Sequence, residues 1–157
     1  MSKTKINEMR ALSIAQPWAE CIVSFGKNIE NRSWNTKMRG FFAIHASASK
    51  SKERFEVCFD EYRLRLRPTE LDYGVIVGFA ELVEVIKSKD VTRKTKKWFS
   101  GEFGFVLENV IRLEKPIEIK GSLGFWKLKG KMLNASIGQL SNRDLRKVES
   151  GKLLGSL

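Results

Sequence analysis

A chain of 157 residues, 42% hydrophobic and 30% charged, has the balance of one globular domain and not of a disordered tail. Its net charge of +11 draws polyanions, nucleic acid first and anionic membrane surfaces second. A membrane role needs a long apolar span or a basic amphipathic helix, and wholly apolar stretches here last only a few residues, so no membrane partner is expected.

The basic lead, residues 1–5, has no apolar region behind it and does not read as a signal peptide. Cys21 and Cys58 are isolated thiols and His45 is the single histidine, so neither a metal nor a cofactor is expected. Reduced, unclustered cysteines suit the cytoplasm. With no repeat and no linker, the chain reads as one domain over 1–157, with a core over 10–129 and a C-terminal extension over 130–157.

Taken in order, residues 9–15 predict a short strand. Pro17, favoured at a first helical position, opens a helix over 17–25, with Trp18, Ile22 and Phe25 at near-helical spacing and Gly26 as its stop. No capping side chain precedes it, so its first amides are open to an anion, with Glu20 competing. Residues 28–34 alternate as a strand with Ile29, Asn31 and Ser33 on one face and Glu30, Arg32 and Trp34 on the other. Both faces are polar, which predicts that one of them lines a cleft. Arg39 and Gly40 make a turn into an apolar strand over 41–47 that carries His45 near its end.

Residues 51–66 predict a helix with a stripe of Phe55, Cys58, Phe59, Tyr62 and Leu66, closed by Pro68. A long β-run over 74–86 bends at Gly78. Residues 87–97 then set Lys87, Lys89, Arg93, Lys94, Lys96 and Lys97 against Asp90 alone, and Trp98 follows. This basic and aromatic character fits a loop that holds phosphates without choosing a sequence, although a charge run is more often just a solvated face. Strands are predicted over 103–110, 116–120 and 122–129, and a short helix over 141–154. Such an order implies an α+β fold: a small barrel of about six strands flanked by two or three helices.

The stretches LSIAQPWAECIVSFGK, IENRSW and RGFFAIHAS between Leu12 and Ser47, with GVIVGFAELV and KGSLGFWKL further on, together resemble the ASCH family (activating signal cointegrator homology) of the PUA-like superfamily. The resemblance covers about residues 10–129. It implies a PUA-like β-barrel with a cleft beside the first helix, and binding of RNA or DNA. One bacterial branch of the family resembles an amidohydrolase that deacylates 4-acetylcytidine with a lysine, a threonine and a glutamate. The lysine falls on Lys27, but the threonine position holds Glu30, which has no hydroxyl.

Candidate contacts for a base, a phosphate or a nucleotide-like ligand are therefore Gln16, Lys27, Glu30, Arg32, Trp34 and Arg39. For the backbone of RNA or single-stranded DNA they are Arg93, Lys94, Lys96 and Lys97. Arg32 and Lys27 would hold a phosphate or base edge, and Glu30 would accept from an exocyclic amine. In a hydrolase of RNA or of a modified nucleoside, Lys27 and Glu30 would be the acid–base pair. The plain alternatives are an ion pair along one strand and a charge-driven protein contact. His45 reads as a structural histidine, Trp18 as a core anchor, and Ser47 as a neighbour of the cleft.

Overall fold

The structure, a computed structural model, describes residues 6–155, with side chains to residue 151. The basic lead at 1–5 lies outside the described residues. Strand β1 (Glu8–Ile14) leads into helix α1 (Trp18–Ser24), the short strand β2 (Ile29–Arg32) and strand β3 (Gly40–Ala46). Helix α2 (Lys52–Tyr62), strands β4 (Val75–Ile86), β5 (Phe103–Glu118) and β6 (Phe125–Lys129), and helices α3 (Gly130–Ile137) and α4 (Asn142–Gly155) follow. The strands form one sheet in the order β2-β5-β4-β3-β1-β6, mixed because β1 and β3 run parallel while their other neighbours are antiparallel.

Central position explains composition. Every residue of β3 is buried, since the sheet is packed on both faces there. Phe42, Ile44 and Ala46 join Leu12, Ile14 and Ile22 of α1 in one cluster, while Phe41 and Ala43 face a second with Met9, Leu128, Leu133, Ile137 and Val148. Helices α3 and α4 thus cover the second face. Each fully buried phenylalanine contributes about 2 kcal/mol. A third cluster, Cys21, Ile29, Cys58, Ile86, Trp98 and Val106, seals α2 against α1 and the end of the sheet.

The α+β class holds, with four helices and six strands, but the hydrogen-bonded ladder ends at β2 and β6 and does not close into a barrel. Aromatic rings bring the two ends together instead. Phe125 of β6 stacks on Phe105 of β5 at 6.2 Å, and Trp34, just past β2, meets both rings edge-on at 5.9 and 5.3 Å. The sheet therefore curls around an aromatic plug.

Two elements differ from expectation for local reasons. Helix α2 stops at Tyr62 because Arg63 is left-handed at φ 57°, which turns Leu64 and Leu66 back onto the third cluster. The stretches expected as separate strands over 103–110 and 116–120 are one strand, β5, kinked where Asn109 has φ 51°. Pro116 is tolerated there because β2 pairs only with residues 103–106 and leaves that end of β5 with β4 alone. Gly78 is required by close approach as well as by bending: a Cβ there would stand 2.3 Å from the Ile111 carbonyl oxygen. Among the described residues no helix is long and apolar enough to cross a membrane.

Candidate functional site

Strand β2 has four residues and one neighbour, β5, yet together with the preceding Lys27 it holds the buried charges among the described residues. Lys27 and Glu30 are only 4% and 7% exposed. Lys27 Nζ donates to the Ile29 carbonyl and lies 3.4 Å from Glu30 Oε1. From the other side Arg32 Nε donates to Glu30 Oε2 at 2.9 Å, and its Nη2 lies 2.9 Å from the same oxygen. Arg32 Nη2 also donates to the Ser13 carbonyl at 2.8 Å. One carboxylate thus fixes two cations, and the remaining attachments are to backbone. Buried charges persist only when paired in this way.

Beside this array opens a cleft of about 840 Å³, large enough for a nucleoside. Its walls are Trp18, Glu30, Arg32 and Trp34 on one side and the loop at residues 119–124 on the other. A smaller cavity of about 270 Å³ shares Trp18, Glu30 and Asn31 with it and adds Lys27, Tyr62 and Ser100. The Arg32 guanidinium lies 5.8 Å from the Trp34 ring centre, and Lys27 Nζ lies 5.8 Å from that of Trp18.

The floor of the larger cleft holds a second polar group. Parallel pairing of β1 with β3 sets Ser13 opposite His45, and Ser13 Oγ lies 2.9 Å from His45 Nδ1. His45 Nε2 reaches the Ile119 carbonyl at 2.8 Å, and Trp126 Nε1–H donates to Ser13 Oγ at 3.1 Å. Burial lowers the His45 pKa below its ordinary value, against a smaller upward pull from the Ile119 carbonyl. Gly121 packs beside the pair, so that a Cβ there would lie 2.4 Å from Ser13 Oγ.

The basic segment is fastened to the outside of β2. Asn28 Nδ2 donates to the Lys94 carbonyl at 3.0 Å, Asn31 Nδ2 to the Trp98 carbonyl at 2.9 Å, and the Ser100 amide to Asn31 Oδ1 at 2.8 Å. Trp98 is buried and stacks on Tyr62 at 4.1 Å, which anchors the segment. Arg93, Lys94, Lys96 and Lys97 are exposed. Lys94 pairs with Glu108 at 3.2 Å and Lys97 lies over the Trp98 ring at 5.1 Å.

With this geometry in view, comparison with known proteins is decisive on kinship. The model of the ASCH domain matches residues 12–117. The chain belongs to the ASCH domain family. It is 30% identical to human activating signal cointegrator 1 and 28% identical to the mouse protein, over 77% of this chain in each case. It spans 22% of the length of those two relatives. Among solved structures, crystal structures of two single-site mutants of ZmASCH from Zymomonas mobilis are 16% and 14% identical. They superpose with TM-scores of 0.49 and 0.48, over 84% of this chain in each case and 96% and 98% of theirs.

In this ASCH domain the candidate residues divide into three groups. Glu30, Arg32 and Trp34 line the larger cleft, and Lys27 stands behind Glu30 in the smaller cavity. Gln16 turns inward, 1% exposed, with its amide engaged by the protein: Nε2 donates to the Asp72 carbonyl and Oε1 accepts from the Glu20 amide. That bond, with Trp18 N–H on the Ala15 carbonyl and Cys21 N–H on the Pro17 carbonyl, occupies the first amides of α1, so the helix start presents no open row of donors. Pro17 itself caps the helix and does not begin it. Arg39 is turned onto the Thr36 and Met38 carbonyls, away from the cleft lining. Ser13, Lys120 and Gly121 also line the cleft; they fall within the stretches LSIAQPW and KGSLGFWKL that carry the family resemblance, but the sequence does not single them out as ligand contacts. A register between strands 32 residues apart, not any local pattern, unites Ser13 with His45.

Proposed function

We propose that this ASCH domain binds single-stranded nucleic acid, RNA or DNA. One base enters the cleft beside α1, and residues 87–97 hold the phosphate backbone. The observation that carries this reading is the Glu30–Arg32 pair on the wall of a nucleoside-sized cleft, backed by Lys27, with a stapled row of exposed cations beside the same strand. Arg32 and Trp34 supply a donor fork and a ring face, the two features used on unstacked bases. Arg93, Lys94, Lys96 and Lys97 supply charge that any backbone satisfies. The cointegrator relatives are a coarser support, since a segment of similar sequence occurs within those longer proteins.

The test is fluorescence anisotropy with labelled single-stranded RNA, single-stranded DNA and duplex across a salt series. Log affinity falling linearly with log salt, by about 0.7 per phosphate contacted on a single strand, supports the reading. Weak and equal binding to all three, unchanged by Arg32→Ala, would overturn it.

A further inference from the structure

The cleft contains a row of polar groups whose hydrogen-bond polarity the protein itself dictates. Trp126 Nε1–H can only donate, and it donates to Ser13 Oγ. The Ile119 carbonyl can only accept, and it accepts from His45 Nε2. A neutral imidazole carries one proton, so His45 Nδ1 is left as an acceptor and the Ser13 hydroxyl hydrogen is committed to it at 2.9 Å. Ser13 Oγ keeps one lone pair after Trp126 has taken the other. Toward a ligand, Ser13 is therefore an acceptor.

Arg32 comes next to it, tied to the Ser13 carbonyl by Nη2. Its Nε and Nη2 are engaged, while Nη1 makes no bond among the described residues and offers donors. Beyond Arg32 lies Glu30, whose carboxylate has about four lone-pair sites. Lys27 and the two Arg32 nitrogens lie on it, leaving an acceptor site over. Read along the wall, Glu30, Arg32 and Ser13 present acceptor, donor, acceptor.

From this order we infer that the cleft selects a base edge with an exocyclic amine beside an unprotonated ring nitrogen, as in cytosine and adenine, and rejects uracil. The inference rests on the base-binding role proposed above and names the ligand class for it. An amine donates to Glu30 or Ser13 while the ring nitrogen accepts from Arg32 Nη1. Adenine then sets only its C2–H against the remaining acceptor, whereas cytosine sets O2 there and keeps two of three matches, against none for uracil. Uracil offers acceptor, donor, acceptor, the same order as the wall, so its carbonyls would meet oxygen and its imino hydrogen would meet the guanidinium. Mismatch of this kind separates ligands more sharply than the simple absence of one bond, because both sides are left with unpaired groups.

The experiment compares labelled oligo(rC), oligo(rA) and oligo(rU) with an oligomer of 2-pyrimidinone ribonucleotide, in which the cytosine amine is replaced by hydrogen. Oligo(rC) and oligo(rA) are expected to bind about tenfold tighter than oligo(rU), and deleting the amine to remove about the same factor. Ser13→Ala should narrow the rC–rU gap; a thermal melt checks its fold, and the amine-deleted strand needs no variant at all. Equal binding of oligo(rC), oligo(rU) and the amine-deleted strand overturns the inference while leaving base binding in place. Failure of every strand to bind overturns the proposed function and this inference with it. Nitrogen-15 spectra of His45 give an independent reading: a proton on Nδ1 at pH 7 reverses the polarity of Ser13 and overturns the assignment.

Discussion

The two faces of β2 hold positive charge in opposite ways. Behind the cleft wall Lys27, just before β2, is 4% exposed and bonded to a carboxylate and a carbonyl. On the outer side the Lys94 side chain is 70% exposed, with one surface partner in Glu108. A charge locked by burial has one geometry and can discriminate; an exposed lysine has many and contributes attraction alone. The contrast teaches that a count of cations says little until each is assigned to one kind or the other.

The comparison breaks most visibly if the carboxylate is removed. Glu30→Ala strands Lys27 as a buried, poorly paired ammonium and is expected to cost about 3 kcal/mol, read as a fall in urea midpoint. A wild-type midpoint would mean that the array is not held by its acid. Replacing Arg93, Lys94, Lys96 and Lys97 together by Gln should leave stability within about 0.5 kcal/mol. The same variant should flatten the salt dependence of single-strand binding by about 0.7 for each phosphate that the segment no longer neutralises. An unchanged slope would remove the basic segment from the interface.

Arg32→Lys sharpens the contrast from the other side. It keeps the charge but loses the fork, so affinity for the preferred strand should fall about tenfold at an unchanged salt slope. A change in slope instead would make Arg32 one more phosphate ligand. The smallest effect concerns His45. Its pKa is lower in the folded protein than the ordinary 6.5, so the unfolded chain takes up the proton first as pH falls. The stability present above pH 6.5 should therefore decline below it. His45→Gln should flatten that part of the curve, measured by melts on the two sides of the ordinary histidine pKa.

Much of the fold is local and hence legible. The apolar run of β3 and the stripe of α2 follow from residue type and period alone, whereas the turn expected at Arg39 and Gly40 is not there, Gly40 being the first residue of β3. The cleft wall is legible for an unusual reason: residues 29–34 make poor sense as any strand but one that serves a polar cavity. Helix α3 is not, because its buried face has only Leu133 and Ile137, with the polar Ser136 between them. Gln16 and Arg39 look available in the sequence because it shows a side chain's chemistry and not the carbonyl it will find; both find one within the protein. Ser13 and His45 are ordinary apart and acquire meaning only from the parallel register of β1 and β3.

The brevity of β2 carries a further consequence. It is an edge strand of four residues, and both charged regions hang from it, one by Glu30 and Arg32, the other by Asn31 and the preceding Asn28. Its backbone ladder is thus the easiest in the sheet to open, and side-chain bonds hold it in place. Amide hydrogens of residues 29–32 should exchange with solvent sooner than those of β3, and a bound strand gripping either face should slow them. On the proposed function, recognition and backbone grip then form one mechanical unit, in which whatever tightens one side of the edge strand quiets the other.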